Sequence, residues 1–454
     1  MIDRTNTLLL AGLLTFSFGG TVHAEATPEE IARLGNDLTP LGAIRAGNEA
    51  GTIPEWTGGI TEAPPGYTPG DHHPDPYADD EIPYTVTAEN MDQYADILTE
   101  GQKAMLRTYP DTYRMHVYPT RRSASLPQRV YDATRNIAAD ARLTDNGNGV
   151  ANAAQGTPFP IPDNGLEAIW NHLLHWRGDG VRRDTLQAAP TRNGDYTLVK
   201  YRDEVTFVYD QADATPENIN NKIAYFKQRI VSPARLAGKI FLVIETLDQA
   251  KEPRSAWVYN PGQRRVRRAP NVAFDTPRDG ADGLSTSDQF DMYNGSPERY
   301  NWELVGRREM LVPYNSYKLH SDQVKYTDIL TPKHINQDLA RYELHRVWVV
   351  EATLKDGARH IYKRRTFYLD EDSWQAVHID HYDARDQIWR VAEGHGINYY
   401  DIKSYWTTLE VSSDLQAGRY FALGLDNEDA MYDFNVDLSL KNYTVSALRR
   451  EGRR

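Results

Sequence analysis

Several short segments of this 454-residue chain carry side chains that could do chemistry. His72 and His73 stand in the acidic run "DHHPDPYADDE", where imidazole and carboxylate could hold zinc or calcium. Pro74 and Pro76 keep the backbone extended there and no ligand spacing emerges, so a solvated loop is expected. His172 and His175 lie three apart on the more polar side of a helical stretch. No Glu follows His172 in the metalloprotease order, which leaves a structural role. "TDNGNG" and "DGADGLSTSD" have calcium-loop composition without the Asp-x-Asp-x-Asp-Gly order or its downstream Glu, and read as turns. The sequence has no Gly-x-Ser-x-Gly elbow, phosphate loop or dinucleotide fingerprint. No metal, cofactor or catalytic residue is expected, although paired carboxylates in a cleft would leave no local signature.

The densest positive run is "RRVRR", Arg264 to Arg268. On a strand, Arg265 and Arg267 share one face and could grip a phosphate or carboxylate; the competing reading is an edge strand charged against aggregation. Just before it, Trp257 and Tyr259 share a face and precede the tight turn Asn260-Pro261-Gly262. With Tyr201 and Phe207 they make the candidate ligand-binding set: apolar floor from the aromatic rings, polar rim from Arg265 and Arg267.

These residues need a sheet to position them. "TLVKYRDEVTFVYD" alternates, with Val199, Tyr201, Val205, Phe207 and Tyr209 on one face and Lys200, Arg202, Glu204 and Thr206 on the other. Asn193-Gly194 before it is a turn signal. Further strands are predicted at 239–245, 256–259, 263–268, 341–354, 359–369, 375–382 and 387–393. Connections such as Asp356-Gly357 and Asp370-Glu371-Asp372 are short, so neighbours run antiparallel in a meander. One helix is predicted inside the strand region, from Thr215 through Ile219, Ile223 and Phe226. The first part reads as helices and extended chain. Thr27-Pro28-Glu29-Glu30 is a capped helix start. The Gly- and Pro-rich segment 47–83 has no period, and helical spacing returns at Met91–Leu98, Gln128–Leu143 and Leu166–Leu174.

Arg4, an apolar core from Leu8 to Phe18 and the small-residue site Val22-His23-Ala24 have the order of a secretion signal. The reading expects a signal peptide over 1–24, a mature chain from Glu25 in the periplasm, and no lipid anchor. The absence of cysteine excludes disulfides and thiolate metal sites. A net charge of −13 argues against nucleic acid as a partner. A mean hydropathy of −0.65 fits a water-facing body. Tyrosine, at 28 residues against 11 phenylalanines, suits wet grooves and interfaces.

"GNDLTPLGAIRAGNEAGTIPEWTGG" (35–59) resembles the N-terminal hallmark of the bacterial family catalogued as domain of unknown function 1329 (DUF1329). "SPARLAGKIFLVIETLD" and "WVYNPGQRRVRRAPNVAFDTP" resemble its central blocks. The latter is also similar to the wider LolA/LolB-like lipoprotein-sorting and lipid-binding group. The resemblance implies an α+β fold: a curled antiparallel half-barrel over 181–454, with helices over its concave face, and an N-terminal extension over 25–180 packed on the sheet. It also implies a setting beside inner-membrane exporters and outer-membrane proteins. The function expected is a carrier or chaperone for a lipid or other hydrophobic molecule. A hydrolase using the same cleft and a scaffold with a filled groove are the alternatives.

Overall fold

The computed structural model describes residues 26–144, 146–436 and 438–453. The expected signal segment lies outside them. Helix α1 (Pro28–Arg33) starts at the capping box read from sequence, where Glu30 N donates to Thr27 Oγ1 and Thr27 N donates to the Glu30 carboxylate. Strand β1 (Tyr84–Val86), helix α2 (Glu100–Thr108), β2 (Met115–Val117) and α3 (Gln128–Ile137) follow. The two-residue strands β3 (Arg142–Leu143) and β4 (Val150–Ala151) pair with each other before α4 (Gly165–Leu173). A first meander comprises β5 (Gly180–Ala188), β6 (Val199–Phe207), β7 (Lys222–Ser232), β8 (Ile240–Thr246), β9 (Ser255–Asn260) and β10 (Arg265–Arg268). After an irregular passage come β11 (Tyr300–Pro313) and the single turns α5 (Tyr317–His320) and α6 (Tyr326–Ile329). The second meander is β12 (Tyr342–Leu354), β13 (Arg364–Asp370), β14 (Ala376–Tyr382), β15 (Ile388–Tyr399), β16 (Ser404–Asp414) and β17 (Arg419–Leu425), with α7 (Val445–Glu451) last.

All but β3 and β4 belong to one 15-stranded sheet, in the order β1-β2-β12-β13-β14-β15-β16-β17-β5-β6-β7-β8-β9-β10, with β11 on β12. Its pairings are antiparallel except for a parallel contact of Tyr342 with Val117. The sheet is curled but does not close into a barrel. The two meanders join where β17 pairs with β5.

Strand β6 alternates as read: Val199, Tyr201, Val205 and Phe207 are buried, and Arg202 is exposed. The helix expected from Thr215 to Phe226 is not there. Residues 215–221 form turns, Asn220 and Asn221 both take positive φ, and β7 already begins at Lys222. Two consecutive left-handed residues end any helix, so Ile223 and Phe226 become strand residues. Strands β11, β16 and β17 were not read from sequence. Most of β13–β17 is buried on both faces, which erases the period-two signal. Strand β11 is interrupted by a register shift at Gly306, whose φ is 116°.

The inner face carries the main core, where Trp170 and Ile169 of α4 and Val130 of α3 meet Val350, Phe367, Ile379 and Ala392. The outer face is covered piecewise. Helix α2 lies against β14 and β15, α5 and α6 against Leu186, Leu409 and Tyr420, and α7 against Ile240, Leu242 and Tyr259.

The β17–β5 join depends on Gly424, where the register shifts between Leu423 and Leu425. Its φ is 106°, and a Cβ there would lie 2.3 Å from the carbonyl oxygen of Thr408. Gly424→Ala is expected to lower unfolding free energy by about 2–4 kcal/mol in a urea titration, from backbone strain and a displaced strand. A change under about 0.5 kcal/mol, the size of an ordinary surface substitution, would show that the join tolerates a side chain.

Candidate functional site

Where β5–β8 leave the main core, the inner face opens into a cleft. Its volume is about 160 Å³, within about 1280 Å³ of empty space counted out through the mouth. Strand register places its floor. Val205 of β6, Phe226 of β7 and Val243 of β8 form one rung; Phe207 and Ala224 form the next, toward α4. On the opposite side Asp203, Gln228 and Phe241 form a third rung, with Arg183 of β5 beside Asp203. Trp170 and Leu173 of α4 close one end, and Phe290 and Pro277 from the passage between β10 and β11 contribute to the wall.

Charged groups in the wall are mostly matched. Arg183 Nε lies 3.1 Å from Asp203, and its guanidinium stacks over Trp406 at 4.7 Å. Arg254 donates to Glu245 at 2.5 Å and to the Asn294 carbonyl at 2.6 Å. Arg177 is ion-paired to Asp291, which also accepts from Trp406 Nε1 at 2.8 Å. Asp279 is held by Lys239. Burial, then the Arg177 charge, pulls His175 down to about 3, so its ring is neutral at physiological pH.

The candidate ligand residues are divided by the fold. Tyr201 and Phe207 line the cleft. Trp257 and Tyr259 pair with Leu242 and Ile240 and therefore face α7 on the outer side. Arg265 and Arg267 pair with Asn260 and Val258, which puts them on the opposite face from the two aromatic rings, exposed on the terminal strand β10. Arg268, across from Trp257, is the arginine that stacks on that ring, at 5.8 Å.

The histidine readings change. His73 is 2% exposed, not solvated. Its Nε2 lies 2.9 Å from Asp401, and its backbone N donates to His320 Nε2, whose Nδ1 lies 2.9 Å from Asp426. The Pro-rich segment is thus a strap clipped by the buried His73, to Asp401 in the turn after β15 and to His320 of α5. His172 and His175 are likewise buried rather than on a polar helix face. His172 contacts the carbonyls of Trp374 and Tyr293 at 3.1 and 3.0 Å, as a helix packed all round requires. The acidic connection at 370–372 is buried too. His345, Asp370 and Asp372 come together as possible metal ligands. Arg122 already holds Asp372 at 2.8 and 2.7 Å, and Glu343 holds His345 at 3.0 Å.

Sequence reasoning missed Arg278, Phe290, Phe226 and Phe241 as cleft residues. Arg278 and Phe290 flank the run "DGADGLSTSD", whose Gly and Asp content signals turns and masks a wall.

The model for "Protein of unknown function (DUF1329)" matches residues 85–449. An uncharacterized protein of Pseudomonas aeruginosa is 52% identical over 453 residues, spanning 99% of this chain and 100% of its own. The chain belongs to the DUF1329 family. Among solved structures, a DUF1329 family protein from Desulfovibrio piger is similar at 15% identity, covering 60% of this chain and 92% of that one with a TM-score of 0.41. A domain named for outer-membrane lipoprotein sorting from Vibrio parahaemolyticus is similar at 14% identity, over 63% and 98% of the two chains, with a TM-score of 0.43. A LolA superfamily protein from Nitrosomonas europaea is similar at 12% identity, over 62% and 98%, with a TM-score of 0.37. No helix among the described residues of this DUF1329 member is long and apolar enough to cross a membrane.

Behind the cleft, Glu410 accepts from Met292 N at 3.0 Å and from Thr407 Oγ1 at 3.3 Å. Burial, and then Asp291, pushes its carboxyl up to about 7 from an ordinary 4.5. A carboxyl with a raised folded pKa adds stability that is complete below 4.5 and is lost as pH rises through 7. Glu410→Gln keeps both contacts without the ionisation. Its unfolding free energy relative to wild type is expected to rise between pH 5 and pH 8 by on the order of 2–3 kcal/mol. A difference independent of pH across that window would mean that Glu410 ionises normally.

Proposed function

We propose that this protein is an exported, periplasmic carrier that holds a hydrophobic molecule in the inner-face cleft between β5–β8 and α4. The observation that carries this reading is an open cavity with an apolar floor, built from Val205, Phe207, Ala224, Phe226 and Val243, beside a packed core. Each CH₂ group moved from water into such a site gains roughly 0.8 kcal/mol. A molecule with a long hydrocarbon part therefore needs such a covered groove to cross an aqueous compartment. The secretion-signal order at the N-terminus supports the address. A scaffold with a filled groove is disfavoured by the empty space. The hydrolase reading gains no support from the cleft acids, because Glu245 and Asp279 are each held by a cation.

Filling the groove tests this. Val243 sits on the cleft floor and is only half-buried, so a larger side chain there intrudes on the cavity more than on the core. Val243→Trp is expected to weaken binding of a fluorescent long-chain fatty acid at least tenfold while leaving Tm within a few degrees. Unchanged affinity in the variant, or no saturable binding by wild type, would contradict the carrier reading.

A further inference from the structure

One arginine in the cleft has no ion pair, although Glu410 and Asp203 lie near enough to act on its charge. Four arginines line it, and three are ion-paired: Arg177 to Asp291, Arg183 to Asp203 and Arg254 to Glu245. Arg278 makes no ion pair or side-chain hydrogen bond among the described residues, and its Nη1 is buried without a partner. The contacts its guanidinium does make are with ring faces, Phe290 at 5.1 Å and Phe421 at 6.0 Å. Burial lowers its pKa from the usual guanidinium value, yet arginine keeps its proton in proteins. A buried polar atom without a partner is costly, and one that persists calls for an explanation.

The fold holds this cation in place. The carbonyl of Asp279, next in the chain, accepts from Tyr201 Oη at 2.9 Å and from Gln187 Nε2 at 2.6 Å. Arg278 N donates to the Ser285 carbonyl at 3.2 Å. The Asp279 carboxylate is taken by Lys239, so the neighbouring acid does not neutralise Arg278. The loop is pinned by its backbone, and the guanidinium lines the Tyr201 end of the cleft.

From Tyr201 to Phe207 the floor of β6 runs about 20 Å at the usual rise per residue. A bilayer's hydrocarbon core is two chains deep, so one chain needs roughly 15 Å. The space of about 160 Å³ is of the order that admits one benzene-sized group, so it encloses only part of a single chain and has no room for two.

We infer that Arg278 anchors the anionic end, a carboxylate or phosphate, of a single-chain amphiphile whose tail runs past Phe226 and Val243 toward Trp170 under α4. This rests on the carrier reading and names its ligand class. Arginine suits the role because its planar fork meets either head group with two parallel hydrogen bonds.

The test is calorimetric titration of the full-length, delipidated protein with palmitate, hexadecyl phosphate and hexadecanol, and with acetate and inorganic phosphate as head groups alone. Wild type is expected to bind at least one of the charged chains tenfold or more tighter than the alcohol. Acetate and inorganic phosphate are expected to give no saturable heat at the same concentrations. Arg278→Gln should bring the charged chains to the affinity of hexadecanol and leave hexadecanol within twofold, and Arg278→Lys should restore part of the difference. Equal binding of charged and neutral chains by wild type would overturn the inference without any variant, so a poorly folded Arg278→Gln does not shield it. Equal losses for all three chains in a folded Arg278→Gln would overturn it as well. Tight binding of inorganic phosphate alone would make this an anion site and not an amphiphile site. If no chain binds, the carrier reading falls with it.

Discussion

A broad antiparallel sheet with apolar side chains on its faces must cover them, and a sheet that stays open cannot do so by closing on itself. In this chain the outer face is covered in patches by α2, by α5 with α6, and by α7. The inner face is covered by α3, α4 and long irregular passages. Cover is packed over β12–β15, where Trp170, Phe367, Ile379 and Ala392 form one core. It is incomplete over β5–β8, where the passage between β10 and β11 bridges the sheet without filling it. On the carrier function proposed above, the cleft is where another molecule completes the cover.

Covering a sheet with irregular chain brings polar groups inside, and several of the charged ones are paired. His73 with Asp401 and His320 with Asp426 clip the Pro-rich strap. Arg122 satisfies Asp372, and Arg365 with His360 satisfies Asp288. A buried charge without its counterpart is strongly destabilising, so networks of this kind constrain where the strap and loops lie. One of them, at Asp288, ties down the passage that also carries Arg278 and Phe290. Preorganised donors recognise a head group at lower entropic cost than mobile ones.

The sequence disclosed what depends on local pattern. The Thr27 cap, the alternating face of β6 and the β9–β10 hairpin around Asn260-Pro261-Gly262 are all local, and all were legible. The family resemblance supplied the curled half-barrel. Both-face burial leaves β13–β17 without a period to read; Asp-rich turns still marked β13–β15, and no such turn marks β16 and β17. Left-handed Asn220 and Asn221 turned an apparent helix into a strand, and with it moved Phe226 onto the cleft floor. Of the candidate site, Tyr201 and Phe207 were found because β6 alternates. Trp257 and Tyr259 have equally good alternation, but which face of a strand looks inward is fixed by the neighbouring strands. Register through Leu242 and Ile240 sends them outward to α7. Arg278 has no local signal at all: its character comes from the partners that the fold withholds.

Whether an apolar molecule occupies the cleft in the cell decides what this protein does. Mass spectrometry of organic extracts from the native protein, recovered from the periplasmic fraction without detergent, tests this most directly. A near-stoichiometric single-chain acid or phosphate, depleted in extracts of Val243→Trp, is the expected result. Absence of the protein from the periplasm, or extracts without any apolar molecule above the level in an unrelated control protein, would contradict it.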